Sequence, residues 1–380
     1  MLSLCFLSIT TAGCADPAQR AQEARQLFTA QEPIKLPEGS RPSRLSLADL
    51  NGDGHLDVVA ACTGKAGVCV LLGSSKGKFT PAPGSPFAAH TAAHMVATGD
   101  FNGDKKLDVI TTSHDDNGAY LLLGDGKGGL TLTVSSPFTG YMVGKPHNHG
   151  LAVADMNGDG NPDVTLGHQD LGSIAVLLGD GRERLASAPG SPFRLGRGFY
   201  PHAIGDVNGD GKLDVVAPDI MGAAIVVGLG DGKGGLRAGA AIRVKPRPFD
   251  ILLNDLNGDG FLDIAATHDD LHDVDVLLGD GKGDFAPAEG SPLRAGRQGW
   301  RTAASDFDGD GKKDLLVAGQ GGFTVLFGDG AGAFAPRAES QYEVPGGAWG
   351  MAVGDVNKDG KPDVVVCDSD AGTVTVFLRK

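Results

Sequence analysis

A nine-residue acidic motif recurs seven times along this 380-residue chain and constrains its fold more than any other feature. The motif reads Asp-x-Asn/Asp-x-Asp-Gly-x-x-Asp, and its copies begin at Asp49, Asp100, Asp155, Asp206, Asp255, Asp306 and Asp355. Successive copies start 49 to 55 residues apart. A period in this range indicates a repeat architecture in which each unit buries its apolar face against its neighbours. The unbroken repeat therefore predicts one closed domain.

Each unit contains four short apolar runs separated by turns. In the third unit they are residues 149–154, 163–167, 173–178 and 184–188. Runs of this length, rich in Val, Ile and Leu and bounded by Gly and Pro, are typical of buried β-strands. Four antiparallel strands per unit, repeated seven times, predict an all-β fold, a seven-bladed β-propeller of four-stranded blades.

The seventh unit ends at its third strand, residues 373–378, and lacks a fourth. Phe28 precedes Asp49 by 21 residues, and Phe79 precedes Asp100 by the same 21. We therefore predict that residues near 28–36 form the outer strand of the seventh blade. This strand would close the ring, whereas an open array would leave strand edges unpaired.

The acidic motif has the ligand spacing of a calcium-binding loop. Side-chain oxygens at positions 1, 3, 5 and 9, with a backbone carbonyl at position 7, can surround one cation at about 2.3–2.6 Å. An EF-hand is excluded because position 12 of the first copy is Ala60 and the flanking segments are predicted strands. Carboxylates this close would repel one another without a cation, so we expect up to seven Ca²⁺ ions.

The predicted calcium ligands are the residues at positions 1, 3, 5, 7 and 9 of each loop, the seventh-position residue contributing its carbonyl. They are Asp49, Asn51, Asp53, His55, Asp57; Asp100, Asn102, Asp104, Lys106, Asp108; Asp155, Asn157, Asp159, Asn161, Asp163; Asp206, Asn208, Asp210, Lys212, Asp214; Asp255, Asn257, Asp259, Phe261, Asp263; Asp306, Asp308, Asp310, Lys312, Asp314; and Asp355, Asn357, Asp359, Lys361, Asp363.

The seven copies differ in ways that predict different affinities. The second has Lys105 where glycine is expected, and the seventh has Lys358 at position 4, so these sites should be weakest. The sixth, with Asp308 in place of Asn, should bind its ion most tightly.

The net charge of −14 does not indicate a basic partner. The loops contain 22 aspartates, and seven divalent ions would bring the formal charge to zero. No basic stripe is present, so we expect no nucleic-acid partner.

The acidic loop, followed in most units by a sequence such as Leu-Leu-Gly-Asp-Gly-x-Gly, resembles the FG-GAP or VCBS repeat. This repeat is the unit of integrin α-chain propellers and of many bacterial secreted proteins. The resemblance covers roughly residues 28–380 and implies a seven-bladed propeller with calcium in the loops that join first and second strands. It does not imply integrin function.

Residues 1–14 form a short apolar leader ending in small residues before Cys14. It is similar to a bacterial lipoprotein signal with Cys14 as the lipidated residue, although Thr11 and the lack of an early Lys or Arg depart from that pattern. An ordinary cleaved signal or a disordered tail is the alternative. We expect residues 15–27 to form a linker or a short helix. We expect the whole protein to be an extracytoplasmic monomer that is secreted or lipid-anchored.

Two cysteines flank a predicted hairpin turn. Cys62 and Cys69 either form a disulfide across the turn or remain two buried thiols. Cys367 lies in an apolar run and is expected to be a small core residue.

The face opposite the acidic loops collects a different set of side chains. Aromatic residues, including Tyr200 and Phe249, stand where first strands begin, with Arg44 and Arg301 close by in sequence. The candidate ligand-binding residues on this face are His94, His114, Asp115, His149, His168, His202, His268, Asp269, Trp300 and Trp349. Such a mixture could bind a sugar or a transition metal. Alternatively, the aromatic residues pack between blades and the polar residues are solvated loops.

The sequence therefore predicts a calcium-binding propeller that acts as a rigid interaction or adhesion module for an unknown protein or glycan. The alternative is a carbohydrate-binding propeller, or a polysaccharide-degrading one (a lyase or hydrolase), that uses the His, Asp and aromatic residues of the face opposite the acidic loops. The sequence contains no HExxH motif, and no serine motif stands between a predicted strand and a predicted helix as a nucleophile elbow does, so no such signature favours catalysis.

Overall fold

The computed structural model describes residues 26–65, 67–89, 92–113, 115–140, 148–269, 271–296 and 298–380. Within these residues it has 32 strands in seven antiparallel sheets, and no helix. No segment of the described chain forms a helix of the length and apolarity needed to span a bilayer. The leader, Cys14 and the linker through residue 25 lie outside the described residues.

Each sheet is one blade, numbered in chain order. The first three blades consist of β3 (Pro42–Ala48), β4 (Asp57–Cys62), β5 (Gly67–Leu72), β6 (Thr80–Pro81); β7 (Ala93–Gly99), β8 (Asp108–Ser113), β9 (Gly118–Gly124), β10 (Leu130–Leu132), β11 (Phe138–Thr139); and β12 (Asn148–Ala154), β13 (Asp163–His168), β14 (Ser173–Gly179), β15 (Leu185–Ser187), β16 (Phe193–Arg194).

The fourth to sixth blades consist of β17 (Ala203–Gly205), β18 (Asp214–Asp219), β19 (Ala224–Gly230), β20 (Leu236–Arg243); β21 (Pro248–Asn254), β22 (Asp263–His268), β23 (Asp273–Gly279), β24 (Phe285–Pro287), β25 (Leu293–Arg294); and β26 (Gly299–Ser305), β27 (Asp314–Gly319), β28 (Gly322–Gly328), β29 (Phe334–Glu343). The seventh blade consists of β30 (Gly350–Gly354), β31 (Asp363–Asp368), β32 (Thr373–Arg379), β1 (Phe28–Ala30) and β2 (Ile34–Lys35).

The blades form a closed ring. The first strand of each blade contacts the first strands of both neighbours, and β3 of the first blade contacts β30 of the seventh. Seven apolar clusters fill the seven interfaces between adjacent blades. Second strands such as β4 are buried along their whole length because blades cover both of their faces. The predicted seven-bladed propeller is confirmed.

The N-terminal strand completes the last blade, as predicted. β1 pairs antiparallel with β32, in a register that places Phe28 opposite Arg379, and β2 pairs with the same strand. Phe28 is 1 % exposed and meets Phe307, Phe323 and Tyr342 edge-on, with ring centroids 5.3–6.0 Å apart. Strand pairing and aromatic packing therefore both hold the ring closed.

The outer strands of five blades are interrupted, which the sequence reading did not anticipate. In the first blade the interruption lies before Pro86, and the hydroxyl of Ser85 accepts the N–H of Val70 at 2.9 Å. Ser136, Ser191 and Ser291 accept the equivalent bond in the second, third and fifth blades. A serine side chain thus replaces the carbonyl that a continuous strand would offer.

The three cysteines in the described residues lie in one core cluster at the interface of the seventh and first blades. The Cys62 and Cys69 sulfur atoms are 3.6 Å apart and unbonded. This proximity is compatible with either state, so the disulfide stays a prediction. Cys367 is fully buried, as expected of a core residue.

Candidate functional site

Each acidic loop joins a first strand to a second, and its ninth residue is buried. Asp57 accepts N–H bonds from Leu50 at 2.9 Å and Gly73 at 2.8 Å, which ties the loop to the third strand. The same pair of bonds recurs in the other six blades. Burial raises the pKa of these carboxyls, to about 6 at Asp108 and Asp163.

The oxygens at positions 1 and 3 are oriented by the loop's own backbone. Asp49 accepts the N–H of Asp53 at 3.1 Å and of Gly54 at 2.8 Å, and Asn51 accepts the Asp53 N–H at 2.9 Å. In the sixth loop, carboxylate oxygens of Asp306, Asp308 and Asp314 all lie within 4.8 Å of one another. An all-oxygen donor set this compact fits one hard cation.

Two loops place lysine in left-handed backbone. Lys105 has φ 65° at a position where Gly54 has φ 82°, and Lys358 has φ 61° where Gly52 has φ 71°. A side chain in this region of backbone space costs conformational energy that glycine avoids. Both substitutions singled out in the sequence therefore fall on strained positions.

The sixth loop has a competing cation. Arg337, on β29, places Nη1 2.9 Å from Oδ2 of Asp308, and its guanidinium lies 3.6 Å from the Phe327 ring centroid. A metal ion in this loop would share the Asp308 carboxylate with that guanidinium. The extra carboxylate expected to strengthen this site is thus already engaged in an ion pair.

A cavity of about 580 Å³ opens where first strands begin, at the opposite end from the acidic loops. Every blade contributes the residue six positions before its acidic loop. These seven lining residues are Ser43, His94, His149, Tyr200, Phe249, Trp300 and Trp349. We call this set the aromatic belt, since six of its seven members have ring side chains.

Neighbouring rings of the belt touch. Ring centroids are 4.9 Å apart for His94–His149, 4.9 Å for His149–Tyr200 and 4.5 Å for Tyr200–Phe249. The indoles of Trp300 and Trp349 stack at 4.4 Å. The belt therefore forms a nearly continuous aromatic wall around the axis of the propeller.

β-Bulges help to place the belt. The register of five first strands shifts where the belt residue stands, between Pro42 and Arg44 in the first blade and between Gly299 and Arg301 in the sixth, for example. A bulge inserts one extra residue and redirects the side chains beside it. As a result, consecutive residues such as Trp300 and Arg301 both line the cavity.

Two arginines lie at the cavity beside the belt. Arg44 and Arg301 are 8 % and 7 % exposed. Arg44 donates from Nη1 to the carbonyls of Ser43 at 2.8 Å and Trp349 at 3.4 Å. Arg301 Nη1 is 3.4 Å from the buried carboxylate of Asp250. Burial lowers the pKa of Arg44 to about 10 and raises that of Asp250 to about 7.

The FG-GAP-like repeat model matches residues 49–111, 100–166, 155–217, 255–317 and 306–366, which is most of the chain. The chain belongs to the FG-GAP-like repeat family. No curated protein matches it significantly.

Solved structures similar to this FG-GAP chain share its fold. An Agrocybe aegerita lectin described as recognising non-reducing terminal N-acetylglucosamine is 23 % identical, with TM-score 0.56, over 78 % of this chain and 79 % of the lectin. BBS1N, solved in complex with ARL6DN, is 12 % identical with TM-score 0.64 over 94 % and 98 %. A Lactobacillus plantarum protein is 14 % identical with TM-score 0.61 over 80 % and 86 %.

The FG-GAP fold brings six of the ten candidate ligand residues to the cavity. They are His94, Asp115, His149, Asp269, Trp300 and Trp349. His114 lies outside the described residues. The remaining three, His168, His202 and His268, are buried and do not line the cavity.

Two of those buried histidines hold strands together. His202 Nε2 is 2.6 Å from the Thr165 hydroxyl, which joins the third and fourth blades, and burial lowers its pKa to about 4. His268 bridges Asp275, at 2.7 Å, and the carbonyl of Pro246, at 3.0 Å. Both stand at other positions of the repeat than His94 and His149: His202 is four residues before its acidic loop, and His268 ends the strand that follows one.

Sequence reasoning missed Ser43 and Asp250 as part of the cavity region. Ser43 is the one belt member without a ring, and Asp250 follows a belt residue, as Arg44 and Arg301 do. Aligning the seven units on their acidic loops would have revealed both, because the belt and the residue after it occupy fixed positions in the repeat.

Proposed function

We propose that this FG-GAP propeller is a calcium-braced, extracytoplasmic interaction module that binds carbohydrate in its axial cavity. The aromatic belt is the observation that carries the proposal. Ring faces bordered by polar groups suit a pyranose, and about 580 Å³ is within the usual range of small-ligand pockets. The structural likeness to the Agrocybe aegerita lectin supports a carbohydrate ligand.

Calcium in this proposal is structural. The acidic loops lie at the far end of the first strands from the cavity, so an ion there would brace the blades without contacting the sugar. FG-GAP repeats are typical of extracellular proteins, and loops of this kind suit the high calcium concentration outside cells.

Tryptophan fluorescence provides a direct test. The chain has only two tryptophans, Trp300 and Trp349, and both line the cavity. We expect saccharides that bind on a glycan array in millimolar Ca²⁺ to change this emission with a saturable dose dependence. Trp300→Ala should weaken binding by about tenfold or more, since stacked aromatic rings contribute strongly to pocket affinity.

Met221→Ala is the matched control. Met221 is 59 % exposed in a connection on the same face and does not line the cavity. Its variant should bind like the parent protein. An array without hits, combined with unchanged tryptophan emission, would contradict the proposal. New reducing or unsaturated sugar ends appearing during incubation would instead favour the polysaccharide-degrading alternative.

A further inference from the structure

Two arginines of the cavity, Arg44 and Arg301, have unused hydrogen-bonding capacity. The Nε atoms of Arg44 and Arg301 are buried and have no hydrogen-bond partner among the described residues. Buried donors normally find an acceptor, because leaving one unsatisfied costs free energy. Both side chains are more than nine-tenths buried and line the same cavity, so a ligand is the natural source of that acceptor.

The charge near the arginines is incompletely balanced by the protein. In the described structure the acceptors of Arg44 are backbone carbonyls, and Asp250 is the acid beside Arg301. Burial raises the pKa of Asp250 to about 7, which reduces its negative charge near neutral pH. Two acids line the cavity. Asp269 forms an ion pair with Arg247, and Asp115 belongs to the second blade, whereas Arg44 and Arg301 belong to the first and sixth. A third arginine, Arg41, also lines it.

This local charge opposes that of the whole molecule. The chain has a formal net charge of −14, yet three arginines and two aspartates line the axial cavity. Arginine recognises carboxylates through paired, charge-assisted N–H donors, and it does so best where water is excluded. The cavity therefore combines an aromatic wall for a ring with cationic donors for a carboxylate.

We propose that the ligand is an acidic saccharide, in which a uronate carboxylate binds Arg44 and Arg301 while the pyranose ring packs on the aromatic belt. This inference rests on the proposed carbohydrate function and deepens it. It assigns specificity to charge: the same sugar without its carboxylate would keep the ring contacts and lose the guanidinium contacts.

The test compares oligosaccharides of galacturonate, glucuronate and mannuronate with their methyl esters, which keep the ring and remove the charge. Binding is followed by tryptophan emission in calcium. We expect at least one acid to bind about tenfold to a hundredfold more tightly than its ester, the range expected for hydrogen bonds to a charged group. The difference should shrink at high salt.

Three variants and one control locate the effect. Arg44→Gln and Arg301→Gln should each weaken binding of the acidic saccharide by about tenfold and change the affinity for its ester by less than about twofold. Asp250→Asn removes the carboxylate that competes for the arginines and should therefore tighten binding of the acidic saccharide. Misfolding cannot produce such a gain in affinity. Arg237→Gln, an exposed substitution on β20 of the fourth blade, should change neither ligand.

The outcomes separate the two proposals. Acids and esters that bind equally, with no effect of the arginine substitutions, would overturn the uronate inference and leave carbohydrate binding intact. Weaker acid binding in Asp250→Asn would also count against it. If no saccharide, charged or neutral, perturbs the tryptophans, the carbohydrate function fails and the uronate inference with it.

Discussion

At the scale of single residues, the seven acidic loops are near-copies whose differences can be measured against one another. Lys105 and Lys358 adopt left-handed backbone that glycine adopts in most of the other loops. Replacing a left-handed non-glycine residue by glycine removes a local cost of roughly 1–2 kcal/mol, which the greater freedom of glycine in the unfolded chain partly offsets.

We expect Lys105→Gly and Lys358→Gly each to raise the free energy of unfolding by about 0.5–1 kcal/mol, measured by urea denaturation in EDTA. The reverse change, Gly160→Lys in the third loop, should lower it by a similar amount, because Gly160 has φ 86°. Equal stabilities for parent and variants would show that the loops relax around lysine.

The buried carboxyl of Asp250 predicts a pH dependence of stability. Burial raises its pKa from 3.8 to about 7 in the folded protein, although Arg44 lowers it. At this carboxyl the native state therefore binds more protons than the unfolded state between about pH 4 and 7, so the contribution of Asp250 to stability should fall as pH rises through that window. Asp250 contributes at most about 1.4 kcal/mol per pH unit to the measured slope.

Asp250→Asn should flatten this slope, measured by chemical denaturation at several pH values. The pKa of Arg44, about 10, lies above the window, so this side chain does not contribute to the slope. Asp284→Asn, at an exposed turn, serves as the control and should leave the slope unchanged. The slope that remains in Asp250→Asn belongs to other buried carboxyls such as Asp108 and Asp163, whose pKa burial also raises. A slope identical to that of the parent protein would contradict the role of Asp250.

At the scale of secondary-structure elements, the closing strand is short but strongly connected. Besides the strand pairing, the N–H of Leu27 donates to the Tyr342 hydroxyl at 2.8 Å, and the N–H of Lys380 donates to the carbonyl of Leu27 at 2.9 Å. The sixth and seventh blades therefore both hold this segment.

Phe28→Ala should lower the free energy of unfolding by about 3–5 kcal/mol, because a fully buried phenylalanine leaves a cavity when truncated. Deleting residues 26–36 should lower the melting temperature further, since it also removes the strand pairing. Val134→Ala, at a fully exposed position, should change stability by no more than about 0.5 kcal/mol. A truncated protein with the same melting temperature as the parent protein would refute closure of the ring by this strand.

The strands could be predicted from the sequence because the repeat presents each element seven times. Even the N-terminal strand was found from one matched spacing, that of Phe28 and Phe79. The interrupted outer strands could not be predicted, since the role of Ser85 depends on its lying opposite Val70 on another strand. The β-bulges were hidden for the same reason: they are relations between two strands, whereas the sequence shows only one.

At the scale of the whole molecule, bound calcium is expected to add to the free energy of unfolding an amount comparable with the net stability of a small domain. A site with a dissociation constant of about 10⁻⁴ M contributes roughly 1.4 kcal/mol at about 1 mM Ca²⁺, and seven independent sites would sum to about 10 kcal/mol. Chelation with EDTA should therefore lower the melting temperature strongly, as measured by calorimetry.

Magnesium at the same ionic strength is the control. It should restore little of the lost stability, because its octahedral coordination sphere is tighter than these loops provide. A melting temperature indifferent to EDTA would contradict the structural role of calcium.

The sequence indicated which side-chain types stand near the axial cavity but not the direction of each side chain, and a role of these residues in binding stays a prediction. The strand order alone placed His149 and Trp300 on the correct face. It could not separate them from His202, which faces Thr165 instead of the cavity. Nor could it show that Arg44 and Arg301 are buried, since burial depends on all seven blades converging on one axis.

The broken outer strands also affect how copies of this propeller meet. A proline in the middle of an outer strand removes one N–H donor, and the serine before it directs its hydroxyl inward to the third strand. Such an edge cannot template a continuous intermolecular ladder. The outer edges of four of the seven blades are protected in this way, so crowded molecules should resist sheet-to-sheet polymerisation and stay dispersed.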